Sequence, residues 1–271
     1  MNLWSARWRP SPLIVVSAVL HVAVIFAWWV RPGAWPWWLG AVIADHALLA
    51  AAGLWPRCRL LGPNWTRLPA AAAARGEVAI TIDDGPDPDV TPRVLDLLDA
   101  AGASATFFCI GRQAARYPDL CREIVARGHA VENHSEHHHH SFSVRGPRAL
   151  ARELAAAQRT LAGITGVAPR FFRAPAGLRN PFLDPLLHRH GLRLATWSRR
   201  GFDTRQGNPD KVLAALTRGL AAGDILLLHD GHAARTPAGE PVIVAVLPAL
   251  LAEIRARKLR TVTLAASDPR A

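Results

Sequence analysis

Carboxylates are nearly absent from the first quarter of this chain. Asp45 is the single acid in residues 1–69, against six bases, all arginine. Nine of the ten tryptophans also fall in the first 65 residues, leaving only Trp197 beyond. Lysine is scarce too: 30 of the 32 bases are arginine, scattered without a basic run interleaved with aromatics, which argues against nucleic-acid binding. Three cysteines (Cys58, Cys109, Cys121), odd in number and without CxxC spacing, exclude a disulfide scaffold and a cysteine zinc site. What remains divides near Pro69: an apolar, Trp-rich leader, residues 1–69, and a body, residues 70–271, large enough to bury a core of its own.

The leader lacks polar residues over Pro12–Val30, where His21 is the one strongly polar side chain. Nineteen residues at ~1.5 Å rise match the hydrocarbon thickness of a bilayer. Trp28 and Trp29 at one end, with Trp4 and Trp8 near the other, suit the two interfaces. No small-residue cleavage site follows, so retention as an anchor is expected rather than removal as a signal peptide. A second segment, Trp35–Trp55 (apolar part about 36–55), is weaker because Asp45 and His46 sit near its centre, where charge is costly. If both cross, Arg7, Arg9, Arg57, Arg59 and Arg67 flank the hairpin and Arg31 alone lies in its turn. The positive-inside rule then puts the body on the cytoplasmic face. If only the first crosses, the body is periplasmic.

In the body, short β-branched runs alternate with helical spacing. Strands are expected at Val78–Ile82, Ala105–Ile110, from Gly128, at Arg170–Arg173, Leu192–Trp197, Ile225–His229 and Thr261–Thr263. Helices are expected over Thr91–Ala101, Arg116–Arg127, Arg148–Leu161, Pro181–His190, Lys211–Ala222 and Val242–Lys258. This is an α/β chain of about seven strands in a parallel sheet, of a size suited to a (β/α) barrel.

Polar residues recur where these strands end, the usual place for α/β sites. Asp83 and Asp84 follow the first strand; adjacent residues point to opposite faces, so one can hold a metal while the other takes a proton. Five of the twelve histidines lie between His134 and His140. On a helical turn His134 and His138 would share a face and grip one divalent ion, with His137 and His140 as competitors for the second place. Arg173 ends an aromatic strand before a Pro-x-Gly turn whose N–H groups could donate to an oxyanion. Asp203 could orient a histidine, and His229 closes an apolar strand in a position suited to a general acid.

These segments, in this order, resemble the polysaccharide deacetylase family (carbohydrate esterase family 4, or NodB-homology domain) over about Val78–Thr263. Thr81–Gly85 matches its T-F-D-D-G motif with Ile82 for Phe; His134–His138 matches H-[S/T]-x-x-H; Arg173–Gly177 matches R-x-P-x-G; Leu227–His229 matches L-x-H. The resemblance implies a distorted (β/α) barrel that hydrolyses an N-acyl group, acetyl or formyl, from an amino sugar. It implies Asp83 as general base and Asp84, His134 and His138 as ligands of one divalent metal, usually zinc. Arg173 would position Asp83, Leu227 would line the acyl pocket, and His229 would be the general acid. Pro175 and Ala176 would contribute the oxyanion turn. Two departures stand out: Ala176 where an aromatic is frequent, which opens the groove, and Thr204 after Asp203 where Trp is usual. The implied substrate is a glycan or, given the anchor, a lipid-linked amino sugar. The contrasting reading is a membrane-anchored, His-rich metal-binding scaffold without catalysis.

Overall fold

The computed structural model describes residues 7–269, so Trp4 lies outside the described residues. Helices α1 (Pro12–Val30) and α2 (Trp35–Leu54) form an antiparallel hairpin, and both are long and apolar enough to cross a membrane. Asp45 turns inward: its carboxylate accepts the Ser17 hydroxyl at 2.7 Å, and His21 and His46 flank it at 3.9 and 4.0 Å. This is how one acid is accommodated in an apolar helix pair.

Both ends of the hairpin rest on the body. The Gly53 carbonyl accepts the Arg179 N–H at 3.0 Å, and the Trp8 indole donates to Asp184 at 2.8 Å. Trp8 therefore docks on the body, although its position in sequence suggested an interfacial anchor.

Eight strands form the body among the described residues, one more than expected. They are β1 (Glu77–Asp83), β2 (Ala105–Cys109), β3 (Ala130–Asn133), β4 (Phe171–Phe172), β5 (Arg193–Leu194), β6 (Arg199–Arg200), β7 (Ile225–His229) and β8 (Arg260–Thr261). All ladders are parallel, in the order β5-β4-β3-β2-β1-β7-β6, with β8 on the start of β1. The sheet curls, and its open seam is strapped by residues expected to be mere linker. Trp65 donates to the Leu194 carbonyl and accepts from the Thr196 N–H, both at 2.9 Å, while the Leu68 N–H reaches Gly223 at 2.8 Å. Trp65 and Leu68 join the barrel interior on the way.

Alternation along β1 sorts its side chains. Val78, Ile80 and Ile82 face outward, packing with residues of α4 (Thr91–Ala100), α9 (Pro209–Thr217) and α10 (Val242–Ala256). Ala79 faces inward with Phe108, Leu227 and Ile225. By the same period Thr81 and Asp83 point into the barrel, Asp83 at its carboxyl end. The β1–β7 register sets Asp83 beside His229, and the β1–β2 register sets it beside Phe108.

The helix expected over Arg116–Arg127 is α6 (Pro118–Ala126); a short helix that was not expected, α5 (Gly111–Arg116), precedes it and stops where Pro118 has no N–H to continue it. One local expectation is corrected. The His-rich segment is not a helical turn. Ser135 and His138 adopt positive φ (64° and 51°), and side chains hold the loop: Asn133 Oδ1 accepts the Ser135 N–H at 2.9 Å and Ser135 Oγ accepts the His138 N–H at 3.0 Å.

Candidate active site

The carboxyl ends of β1, β3, β4 and β7 open into a cavity of about 820 Å³ whose lining includes Asp83, Asp84, His134, His138, Leu227 and His229. Ala176 and Gly177 form part of its rim.

At its centre Arg173, fully buried, donates from Nη1 to Asp83 Oδ1 at 2.6 Å and to Thr81 Oγ1 at 2.8 Å. Its other nitrogens reach the carbonyls of Ala195 (3.2 Å) and Thr196 (2.8 Å), and its guanidinium lies 4.1 Å from the Phe108 ring centroid. The Thr81 hydroxyl donates onward to the Leu226 carbonyl at 2.7 Å. The ion is thus fixed by strands on three sides, and Asp83 has one oxygen held while its Oδ2 lies 3.8 Å from His134 Nε2. Burial draws the Arg173 guanidinium below its ordinary pKa, opposed by Asp83.

Asp84, at φ 76°, turns out of the strand direction and meets the histidines. Its Oδ1 lies 3.2 Å from both His134 Nε2 and His138 Nε2, and one donor atom from each of the three residues lies within 4.8 Å of the others. That Oδ1 is buried without a hydrogen-bond partner among the described residues, a costly state that a cation relieves. His134 Nδ1 is 2.8 Å from the Arg173 carbonyl, which fixes the ring with Nε2 facing Asp84, the arrangement metal-ligating histidines use. Burial, reinforced by the neighbouring His134, pushes His138 down to about 4, leaving its lone pair available at neutral pH. Burial opposes ionisation of Asp84, but His134 and His232, with the charge of His138, hold it well below the usual carboxylate range. A carboxylate and two imidazoles in this geometry fit a divalent cation.

His137 and His140 are not part of this cluster. Glu153 takes the His137 ring at 3.0 Å and its backbone N–H at 3.0 Å, and the same carboxylate lies 3.4 Å from His139. His140 lines the cavity with its ring centroid 6.5 Å from that of His138.

On the facing wall, Asp203 accepts the His229 ring at 2.9 Å and the His229 backbone N–H at 2.7 Å. Burial lowers the His229 pKa, but Asp203, with Asp83 and Asp84 nearby, outweighs it and the net shift is upward. The Pro175–Gly177 turn has positive φ at Ala176 (55°) and Gly177 (74°). A β-carbon on Gly177 would fall 2.7 Å from Trp197 and 2.8 Å from Pro56, so this turn fits only with glycine there.

Sequence reasoning gave three residues no role. Thr81 opens the T-F-D-D-G match, yet its part in anchoring Arg173 shows only in the structure. His232, three residues after His229, approaches Asp84 Oδ2 at 3.5 Å. Glu153 sits on α7 (Pro147–Thr165) and withdraws His137 from the metal cluster, a contact no local pattern announces.

Comparison with known proteins gives the same assignment. The family profile described as polysaccharide deacetylase matches residues 70–195. A chitooligosaccharide deacetylase of Azorhizobium caulinodans is 35% identical over 158 residues, which are 58% of this chain and 75% of that protein. A peptidoglycan-N-acetylglucosamine deacetylase of Bacillus cereus is 32% identical over 189 residues, 69% of this chain and 85% of that one. The solved structure of a family 4 carbohydrate esterase from Streptomyces lividans, in complex with acetate, superposes with a TM-score of 0.62 at 30% identity, covering 69% of this chain and 91% of that one. With the barrel, the paired aspartates and the histidine loop in place, this chain belongs to the polysaccharide deacetylase family, carbohydrate esterase family 4.

Proposed function

We propose that this chain is a membrane-anchored hydrolase that removes an N-acyl group from an amino sugar, carried on a glycan or on a membrane lipid. Residues 1–69 act as anchor and strap, and residues 70–271 as the catalytic domain. The observation that carries this reading is one cavity holding both the Asp84–His134–His138 cluster with its orphaned carboxylate oxygen and the two proton-handling groups, Asp83 and His229.

When bound at Asp84, His134 and His138, a divalent ion, which we take to be zinc, supplies Lewis-acid polarisation of the acyl oxygen. Asp83, its carboxylate pinned by Arg173, accepts a proton from water as oxygen attacks the acyl carbon. In the turn that Pro175 shapes, the donor to the developing oxyanion is the backbone N–H of Ala176, because Pro175 has none and the Gly177 N–H is taken by the Ala174 carbonyl. Leu227, on the cavity floor, faces the acyl methyl group. His229, held by Asp203 through one ring nitrogen, offers the other to the departing amine and protonates it as the C–N bond breaks. The products are a free amino sugar and a carboxylate.

Release of acetate from chitotetraose by the detergent-solubilised full chain tests this. Turnover abolished by chelation, restored by zinc and lost in Asp83→Ala is expected. Turnover indifferent to both treatments would overturn it.

Both ends of the hairpin lie against the body, which supports two crossings with the ends on one side, and five flanking arginines against one in the turn support the cytoplasm as that side. A reporter fused after Ala271 and active only in the cytoplasm is expected; activity only in the periplasm would reverse the orientation.

A further inference from the structure

A second cavity of about 460 Å³ abuts the catalytic one, sharing the wall formed by Trp197, Arg200 and Phe202. Its far side is Trp55, Pro56 and Arg57, the residues that immediately follow the last turn of α2, and Arg218 completes its rim. If α2 spans, this groove opens at the level of the lipid headgroups. Trp55, 63% exposed, is the residue type that settles there.

Its charge is unbalanced in a specific way. Asp224, the buried acid nearby, is already shared by Arg67 (2.6 Å) and Arg199 (3.0 Å). Arg57, Arg200 and Arg218 face the groove with no carboxylate partner among the described residues. Arg200 is the telling one. Its guanidinium carbon lies 5.3 Å from the Trp197 ring centroid and 5.0 Å from that of Phe202, its buried Nε has no acceptor, and the side chain lines both cavities. A guanidinium resting on two aromatic rings at a cavity wall, with no carboxylate to neutralise it, suits an oxyanion, and phosphate matches it in charge and geometry.

We propose that this groove binds the phosphate of a phosphorylated amino sugar, whose acylated amine reaches the catalytic cavity across the Arg200 wall. The phosphate is that of a lipid carrier in the membrane or of a soluble sugar phosphate. This rests on the deacylase reading above and adds to it the class of substrate. Arg57, Arg200 and Arg218 are binding residues in this account and take no part in bond breaking.

The test compares the full chain in phosphatidylcholine nanodiscs on three substrates: N-acetylglucosamine joined through a diphosphate to a long isoprenoid alcohol, N-acetylglucosamine 1-phosphate, and neutral chitotetraose. The phosphorylated substrates are expected to lead in kcat/KM by about ten-fold or more, the scale of one charge-assisted contact. That lead should collapse in Arg200→Gln and equally in the exposed pair Arg57→Gln/Arg218→Gln, which guards against misfolding as the cause. A further lead of the lipid form over the soluble one identifies the membrane carrier; parity identifies the soluble phosphate. Preference for chitotetraose, or a phosphate preference that survives the substitutions, overturns the proposal. Failure on all three substrates would contradict the deacylase reading instead. The groove is then judged by equilibrium binding of N-acetylglucosamine 1-phosphate, which the substitutions weaken about ten-fold if the proposal holds and leave unchanged if it does not.

Discussion

Asp203 grips His229 twice, taking the ring nitrogen Nδ1 on one carboxylate oxygen at 2.9 Å and the backbone N–H on the other at 2.7 Å. The double contact fixes both the position of the imidazole and the nitrogen it turns toward the cavity. Because the net pKa shift is upward, His229 stays protonated to a higher pH than an ordinary histidine, whose value is about 6.5. The alkaline limb of kcat is therefore expected above that pH. In Asp203→Asn the limb should move to lower pH and kcat should drop by roughly 10²-fold or more. A pH–rate profile unmoved by the substitution would dissociate Asp203 from His229.

Glu132 shows the opposite kind of electrostatics. It is buried inside the barrel and accepts the backbone N–H groups of Arg170 and Phe171 at 2.6 and 2.7 Å, tying β3 to the start of β4. Burial pushes its carboxyl up to about 8, against the pull of those two bonds. Below about pH 4.5 the group is protonated in both folded and unfolded chains and costs nothing. Between there and pH 8 the unfolded chain gives up the proton and the folded one does not, so stability falls as pH rises, by up to about 1.4 kcal/mol per unit. Glu132→Gln removes this titration. The Tm of the variant minus that of the wild type should grow from pH 5 to pH 8, measured by differential scanning calorimetry; a shrinking difference would contradict the assignment.

His138 and His137 are neighbours with different fates. His138 meets Asp84 at 3.2 Å, while Glu153 holds His137 at 3.0 Å. Bound metal, quantified by mass spectrometry on the purified full chain, should be lost in His138→Ala and retained in His137→Ala. Equal loss from both would place the ligand register elsewhere.

The hairpin and the site meet at a close backbone contact. A β-carbon on Gly53 would fall 2.2 Å from the Arg179 carbonyl, so Gly53→Ala must displace the end of α2 from the loop that carries Pro175 and Ala176. Buried Arg179 reinforces that junction with bonds to the Cys58 (2.7 Å) and Gly62 (3.2 Å) carbonyls. Gly53→Ala is expected to lower turnover several-fold while metal content stays at the wild-type level, because the ligands lie on other loops. Turnover equal to wild type would show that the hairpin and the site are independent.

Much of this site was legible because each functional residue sits next to a recognisable strand. An apolar run that ends in Asp-Asp, or in His229, places its last side chain at the barrel mouth by length and alternation alone, and four ordered motifs gave the family. The conformation of the histidine loop was not legible. A spacing of four suits a helix, but the pair is instead brought together by two left-handed residues and by side-chain bonds from Asn133 and Ser135. Nor was the strap at Trp65, since a single residue closing a seam has no period to reveal it. The two-residue strand Arg199–Arg200 was hidden for the same reason, and with it the arginine wall that separates the two cavities.

The central claim is that the adjacent aspartates divide the work, Asp84 holding the ion and Asp83 moving the proton. Metal content and acetate release measured on the same preparations of Asp83→Asn and Asp84→Asn test it most directly. Asp83→Asn should keep one divalent ion per chain and lose nearly all turnover, because Arg173 and the histidine cluster remain. Asp84→Asn should bind the ion far more weakly, because a charged ligand becomes neutral. An Asp83→Asn enzyme that still turns over, or an Asp84→Asn enzyme that holds its ion as tightly as the wild type, would contradict the account.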